Sequence, residues 1–179
     1  MLFRSSELVG AEQYRTFATL HAAMVERKQF ADGDPIDLVP RMMAELPDAL
    51  RPRVFVARHN GQPVAGAVIG VHGDTAYYLF GASNGEALPL KAGYALQWAI
   101  VQWLRGRSAR WYDLGGEAGE SGLRQFKKGL VGKHGAIIVS PGEYKYLPTL
   151  RARVATDLLM RIRGWRRAAL EQLARAGMQ

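Results

Sequence analysis

Three apolar runs joined by two tight turns constrain the fold of this chain most strongly. The first run, Val54–Arg58, leads through Asn60-Gly61 into the second run, Val64–Val71. Asn-Gly is typical of a two-residue β-hairpin turn, because both of its residues tolerate a positive φ. A second turn at His72–Asp74 leads into the third run, Thr75–Phe80. The pattern predicts three antiparallel strands with short connections.

Helical patterns flank this meander. Gly10–Phe30 carries apolar residues at three- and four-residue spacing, which predicts a helix. Asp34-Pro35 is a typical helix start, and we expect a second helix from there to Pro47. After the loop Gly81–Glu86, the stretch from about Leu90 to Arg105 is apolar on more than one side. This is typical of a helix that lies buried against a sheet.

A strand that ends in two glycines follows the long helix. Trp111–Leu114 favours a strand, and Gly115-Gly116 ends it. Gly122–Gly129 predicts a short helix, and Ala136–Ser140 predicts a further strand. A strand, a crossover helix and another strand form a parallel pair, so the sheet is expected to be mixed. This α/β (α+β) order resembles the GNAT acyltransferase fold, in which helices cover a mixed sheet whose strands splay near its centre.

Composition limits the class of protein. The chain has 179 residues, 48% of them apolar, which suits a domain with a substantial core. It has no cysteine, and none of its four histidines has metal-ligand spacing, so we predict no metal site. The net charge of +8 favours a polyanionic partner, either nucleic acid, an anionic membrane face or a phosphorylated substrate. The start of the chain lacks a signal-peptide core and no run reaches membrane-span length, so we expect a cytoplasmic protein.

The tail after Pro148 is distinct, and we divide the chain into an acyltransferase domain, 1–148, and a basic helical tail, 149–179. The tail predicts an amphipathic helix rich in arginine, although Gly164 weakens a single long helix. Such a helix suits an anionic membrane surface or tRNA phosphates. Packing of its apolar stripe on the domain is an alternative.

Four segments resemble the C-terminal half of the Fem-type peptidoglycan-bridge aminoacyltransferases, in the same order and with similar spacing. They are Tyr77–Asn84, Tyr94–Ile100, Tyr112–Gly116 and Gly122–Gly129. The resemblance runs from roughly residue 10 to residue 146 and is most specific in the last two segments. It implies transfer of an aminoacyl group from aminoacyl-tRNA to an amine of a peptidoglycan precursor, without a metal or organic cofactor.

Two alternatives stay open at this point. More distant relatives are acyl-CoA-dependent, so the chain is also consistent with an acyl-CoA-dependent acyltransferase acting on a cell-envelope saccharide or small molecule. A non-catalytic module of the same fold that binds RNA or a membrane is the second alternative. Ordinary acetyltransferases hold the coenzyme A pyrophosphate with backbone N–H groups of a glycine-rich loop before the long helix. Gly85–Gly93 instead has a proline, an acidic residue and well-separated glycines, which counts against acetyl-CoA.

Three residues are candidates for catalysis. By resemblance, Lys127 matches the lysine that stabilises the tetrahedral intermediate; the alternative is a surface lysine that pairs with Asp113 or binds phosphate. Tyr78 is expected to hydrogen-bond the donor ester or leaving hydroxyl, with core packing as the alternative. Tyr77 should point to the opposite face of the sheet. Asp113 either orients Lys127, takes a proton from the amine, or accepts the amides of the Gly115-Gly116 turn.

Substrate contacts are predicted around these residues. The candidates are Phe126, Lys128, Arg124, Gly115, Gly116, Ser83 and Asn84. Helix capping or turn formation also explains Ser83 and Asn84. Full-length Fem-type enzymes have two GNAT-like halves, and this chain has one. The acceptor site is therefore rebuilt here, supplied by a second copy in a homodimer, or missing.

Overall fold

The structure is a computed structural model. It describes the backbone of residues 3–8, 11–29, 35–107, 109–116, 121–139 and 146–176, and the side chains of 11–29, 35–107, 109–116, 122–139 and 146–166. The chain divides into two compact units, Met1–Gly135 and Ala136–Gln179.

The first unit is built from strands and helices in the order expected from the sequence, preceded by a strand that was not predicted. In chain order these are β1 (Phe3–Leu8), α1 (Ala11–Lys28), α2 (Leu38–Glu45), a 3-10 turn (Asp48–Leu50), β2 (Arg53–His59), β3 (Gln62–His72), β4 (Thr75–Ser83), α3 (Ala92–Arg105), β5 (Trp111–Asp113) and α4 (Ser121–Leu130). The second unit contains α5 (Leu150–Ala176).

The sheet is mixed, as predicted. Its strands lie in the order β1-β2-β3-β4-β5. The pairs from β1 to β4 are antiparallel, and β5 is parallel to β4. The β2–β3 hairpin turns at Asn60 and Gly61, whose φ angles are 51° and 82°. A positive φ at both central residues is what a two-residue hairpin turn of this hand requires.

Each face of the sheet has its own apolar core. On one face α3 covers side chains of β2 and β3, with Leu96, Ile100 and Leu104 from the helix. On the other face α1 supplies Phe17, Leu20 and Met24. The long helix therefore lies against the sheet, as predicted, but only one of its faces is buried: Trp98 and Tyr94 are 64% and 41% exposed.

Several predicted boundaries differ from the structure. The segment 136–139 is not a strand: Ile137, Ile138 and Val139 are 63%, 87% and 86% exposed. β-branched residues favour a strand only where a neighbouring strand accepts their backbone hydrogen bonds, and no described strand pairs with this segment. Its predicted last residue, Ser140, lies outside the described residues.

The helix and loop limits also shift. Gly10, Phe30 and Asp34, which bounded the predicted helices, lie outside the described residues; within them α1 ends at Lys28 and α2 begins at Leu38. The loop predicted to begin at Gly81 begins later, because β4 pairs with β3 as far as Ser83.

Candidate active site

The candidate site begins where β4 and β5 separate. The two strands pair over three residues only, from Thr75 opposite Trp111 to Tyr77 opposite Asp113. Beyond that last pair β4 continues to Ser83, whereas β5 ends. The separation leaves this part of β4 without hydrogen bonds to β5. This is the splay that the GNAT-type order predicted.

A β-bulge in β4 lies at the start of the splay. Tyr78 stands opposite Ile69, and Phe80 stands opposite Val68, so Leu79 is the extra residue. Leu79 and Phe80 consequently both pack on the α1 side of the sheet, and Tyr78 packs on the α3 side. The bulge therefore interrupts the usual alternation of side chains along β4.

The two adjacent tyrosines of β4, predicted to point to opposite faces of the sheet, have different surroundings. Tyr77 is 36% exposed and its ring lies 5.8 Å from the ring of His72. Tyr78 is partly buried and packs against the core beneath α3.

The turn after β5 is held by Asp113. Its Oδ1 accepts a hydrogen bond of 2.7 Å from the backbone N–H of Gly115, which confirms the expectation that this carboxylate accepts a turn amide. Gly115 has φ +70°, a conformation that is strained for residues with a side chain. The sequence Asp-Leu-Gly-Gly therefore folds into a fixed turn at the splayed end of the sheet.

Lys127 reaches the same turn from α4. Its Nζ donates to the carbonyl oxygen of Gly115 at 3.3 Å and to that of Gly116. A Cβ built on Gly115 would lie 3.9 Å from this Nζ and 3.7 Å from the backbone oxygen of Tyr78. The ammonium of Lys127, the glycine turn and the bulged region of β4 thus lie together at the splay.

Phe126 explains how α4 holds Lys127 there. Its ring lies 4.9 Å from the ring of Tyr94 at the start of α3. A Cβ at Gly93 would come within 3.2 Å of Phe126, and a Cβ at Gly129 would come within 3.0 Å of the Tyr94 hydroxyl. The two glycines allow close contact between α3 and α4, and this contact fixes the residue that precedes Lys127.

A buried polar cluster lies under the splay on the α3 side. The Tyr112 hydroxyl donates to Oε1 of Gln97 at 2.7 Å, and Gln97 is 2% exposed. The Tyr78 hydroxyl occupies the space beside Gly81, where a Cβ would lie only 1.7 Å from it. Gln97 also forms a hydrogen bond with Tyr78, so this amide joins β4, α3 and β5 through side chains.

Burial extends the pH range over which both hydroxyls of this cluster stay protonated. Burial raises the pKa of Tyr78 to about 12, and a hydrogen bond with Gln97 opposes the rise. Burial also raises the pKa of Tyr112, and the neighbouring Tyr78 adds to that rise. Tyr78 is a neutral hydrogen-bond donor at physiological pH, as an ordinary tyrosine is, and it stays neutral to higher pH.

Two further predicted residues, Ser83 and Asn84, lie at and just after the end of β4. Ser83 and Asn84 come five and six residues after Tyr78, about 17 Å or more along an extended strand. Asn84 forms a turn, because its Oδ1 accepts the amides of Glu86 at 3.0 Å and Ala87 at 3.2 Å. The alternative of turn formation is thereby confirmed for Asn84, and Ser83 is the last residue of a strand rather than part of a loop.

Two predicted substrate contacts, Arg124 and Lys128, are exposed on α4. Their roles stay predictions. Within the part of the chain that the structure describes, no group of three or more His, Cys, Asp or Glu side chains is placed to hold a metal ion.

The segment before α3 forms consecutive turns. The amides of Leu90, Lys91 and Ala92 bond to the carbonyls of Glu86, Leu88 and Ala87 at 3.3, 3.0 and 2.9 Å. With the two amides that Asn84 accepts, much of the backbone that could face a phosphate is already bonded within the chain. Lys91 caps the helix with φ 52°.

Gln97 and Gly81 were not predicted as site residues. The available signal for Gln97 was a single amide in the apolar run Tyr94–Ile100. A buried amide must find hydrogen-bond partners, and the sequence alone does not show which tyrosines provide them.

The family of the chain follows from its match to a family model. The model described as acetyltransferase (GNAT) domain matches residues 4–128. The chain belongs to this family, which confirms the predicted GNAT-type fold and the predicted class of enzyme, an acyltransferase.

Solved structures share the fold. One is an aminoglycoside acetyltransferase from an uncultured soil metagenomic sample, in complex with sisomicin; it has a TM-score of 0.60 and 16% identity, covering 80% of this chain and 96% of that one. Another is a ribosomal-protein-alanine N-acetyltransferase from Brucella melitensis biovar Abortus 2308. It has a TM-score of 0.59 and 14% identity, covering 81% of this chain and 99% of that one. A third, an aminoglycoside N-acetyltransferase in complex with CoA, has a TM-score of 0.58 and 12% identity, covering 80% of this chain and 96% of that one. At these identities the likeness shows the fold alone.

One curated relative is similar in sequence. The UDP-N-acetylmuramoylpentapeptide-lysine N(6)-alanyltransferase of Weissella viridescens is 31% identical over 112 residues, which are 63% of this chain and 32% of the relative. The chain therefore spans about a third of the length of this enzyme.

Proposed function

We propose that this chain transfers an aminoacyl group from aminoacyl-tRNA to an amine of a peptidoglycan precursor or a related cell-envelope acceptor. The observation that carries the proposal is the ammonium of Lys127 fixed on the Gly115-Gly116 turn where β4 and β5 separate. The similarity to the alanyltransferase supports the choice of donor and acceptor.

The reaction is aminolysis of an ester. The acceptor amine attacks the ester carbon, a C–N bond forms, and the carbonyl oxygen becomes an oxyanion. When the intermediate collapses, the C–O bond to the ribose breaks, its electron pair stays on the ribose oxygen, and that oxygen takes up the proton lost by the amine. The positive charge of Lys127 stabilises the oxyanion, a contribution worth roughly a hundred- to a thousandfold in rate.

Tyr78 and Asp113 have supporting roles in this proposal. Tyr78 carries a neutral hydroxyl at the bulge of β4 and donates a hydrogen bond to the donor ester or the leaving oxygen. Asp113 holds the glycine turn through the Gly115 amide and thereby sets the position of the two carbonyls that bind Lys127.

Two observations favour aminoacyl-tRNA as the donor. Amides of the segment before α3, the region that ordinary acetyltransferases use for the coenzyme A pyrophosphate, are bonded within the chain. The net charge of +8 suits a polyanionic donor, and tRNA is one. The site acts without a bound cofactor, and we place the reaction in the cytoplasm, where aminoacyl-tRNA is found.

An acyl-CoA-dependent reaction on a cell-envelope saccharide or small molecule is the second candidate. The family model and a solved relative in complex with CoA favour it. For either reaction, we propose that the chain forms a homodimer. The second copy would then supply the acceptor contacts that the other half supplies in full-length Fem-type enzymes.

Donor binding tests the proposal. We would titrate the protein with alanyl-tRNA, deacylated tRNA and acetyl-CoA in a calorimeter, using wild type, Lys127→Ala and the exposed control Lys133→Ala. We expect alanyl-tRNA to bind more tightly than deacylated tRNA, and acetyl-CoA not to bind. Binding of acetyl-CoA alone would replace the donor with an acyl-CoA. Equal, salt-sensitive binding of both tRNAs, unchanged by Lys127→Ala, would indicate the non-catalytic RNA-binding module.

A further inference from the structure

The second unit contains a helix whose apolar side chains are exposed. α5 runs continuously from Leu150 to Ala176, through Gly164, so the weakness expected at this glycine does not break it. The exposed apolar residues at three- and four-residue spacing are Leu150 (76%), Val154 (60%), Leu158 (58%), Ile162 (41%) and Trp165 (73%).

These five residues form one stripe. At 100° per residue they occupy an arc of about 120° on the helix surface, a width typical of the apolar face of an amphipathic helix. Leu159 is as apolar as Leu158 and is 61% exposed, but it projects about 60° outside the arc. The stripe is therefore a directional surface and not a general excess of apolar residues.

The charge of the helix is strongly positive. Its basic residues are Arg151, Arg153, Arg161, Arg163, Arg166, Arg167 and Arg175, and its acidic residues are Asp157 and Glu171. Seven positive and two negative charges give the helix a net charge of +5. A surface that binds this helix must accept both apolar side chains and an excess of arginine.

The positions of two arginines discriminate among possible binding surfaces. Arg151 and Arg161 project within the arc of the stripe, at about 100° and 20° from Leu150. Burial of the stripe in a protein interface would bury these guanidinium groups as well, and each would then need a carboxylate partner. At a bilayer surface, arginine side chains extend from the apolar region to the lipid phosphates while their stems stay among the acyl chains.

We propose that α5 binds the surface of an anionic lipid bilayer, with its stripe in the interfacial region and its arginines on the lipid phosphates. Trp165 suits that position, because indole rings favour the boundary between headgroups and acyl chains. No helix within the described residues is long and apolar enough to cross a membrane, so the helix lies along the surface. The proposal does not depend on the acyl-transfer reaction.

Vesicle co-sedimentation of the full chain tests this inference. We would compare vesicles of phosphatidylcholine with vesicles in which phosphatidylglycerol replaces a third of the lipid. The matched variants are Leu158→Gln in the stripe and Leu159→Gln outside it, since the two leucines are adjacent and almost equally exposed. We expect binding to the anionic vesicles only, weakened roughly tenfold or more by Leu158→Gln and by less than about twofold by Leu159→Gln.

Three results would overturn the proposal. Equal losses in the two variants would show that the stripe is not the binding surface. A dimer that forms without vesicles and is lost in Leu158→Gln, together with no vesicle binding, would identify a second copy as the partner. Salt-sensitive binding to tRNA that ignores Leu158→Gln, again without vesicle binding, would identify nucleic acid.

Discussion

The buried hydrogen bond between Tyr112 and Gln97 makes a specific prediction about stability. The Tyr112 hydroxyl lies 2.7 Å from Oε1 of Gln97, which is 2% exposed. Tyr112→Phe removes the donor and leaves a buried amide oxygen without this partner. Leaving one buried polar group unsatisfied costs about 1–3 kcal/mol, whereas replacing both partners by apolar groups of similar shape is nearly neutral.

A double-mutant cycle measures this effect. We expect Tyr112→Phe to lower the free energy of unfolding by about 1–3 kcal/mol. Gln97→Leu should cost at least as much, because Gln97 also bonds Tyr78. The double variant should cost less than the sum of the two single variants, with a coupling energy of about 0.5–3 kcal/mol.

These free energies are measured by urea unfolding, with circular dichroism as the signal. In thermal unfolding, the midpoint should fall by about 2–4 °C for each kcal/mol of stability lost. Gln102→Leu, at an exposed position of α3, is the matched control and should change stability by less than about 0.5 kcal/mol. If the two single losses simply add in the double variant, the hydrogen bond does not couple β5 to α3 and our reasoning about the cluster fails.

Three further predictions concern the same region. Gly81→Ala places a Cβ against the Tyr78 hydroxyl and should lower the free energy of unfolding by about 1–3 kcal/mol in urea. Gly85→Ala is its control, because a Cβ there meets no atom within 4 Å. Equal losses in the two variants would contradict the packing of Tyr78 against Gly81. Because burial raises the pKa of Tyr78 from 10.0 to about 12, the native state keeps a proton that the unfolded state loses. The free energy of unfolding should therefore fall by roughly 1.4 kcal/mol per pH unit between about pH 10 and 12 through this group. Tyr78→Phe should remove that part of the slope, and an unchanged slope would refute the assignment. Gly115→Ala forces a residue with a side chain into φ +70° and should lower the thermal midpoint more than Gly116→Ala does. A Cβ at Gly116 meets no atom within 4 Å, so that variant is the control. Equal midpoints would show that the turn does not require glycine at position 115.

The parts of the fold that sequence predicted are those set by local chemistry. Asn60-Gly61 fixes a hairpin because its residues accept the required positive φ angles. The long run from Leu90 to Arg105 gives the helix Ala92–Arg105, because its apolar residues recur at helical spacing and form a face that packs on the sheet.

The parts that sequence did not predict depend on distant partners. The strand Phe3–Leu8 is mostly polar, and it is a strand because it pairs with β2, about fifty residues later in the chain. Ala136–Ser140 has strong strand propensity, yet its described residues find no neighbouring strand. The bulge at Leu79 likewise depends on the register between β3 and β4.

The candidate site divides in the same way. Asp113 and the glycines after it form a local turn, so the sequence indicated both the turn and the bond to its amide. The family resemblance rather than residue spacing pointed to Lys127. Its hydrogen bonds to the carbonyls of that turn, which bring α4 to the end of β5, were not predicted. Gln97 was missed because its role depends on two tyrosines of different strands.

The most direct test of the central claim is a single-turnover transfer assay with labelled alanyl-tRNA and UDP-N-acetylmuramoyl-pentapeptide, with acetyl-CoA as the competing donor. Lys127→Ala is compared with wild type and with Lys133→Ala, and the thermal midpoint of each variant is measured to separate catalysis from folding.

If Lys127 stabilises the oxyanion at the splay, wild type and Lys133→Ala will transfer alanine to the pentapeptide. Lys127→Ala will be slower by roughly a hundred- to a thousandfold at an unchanged midpoint. Transfer by Lys127→Ala at the wild-type rate, or transfer from acetyl-CoA alone, would contradict the proposed aminoacyl transfer at this site.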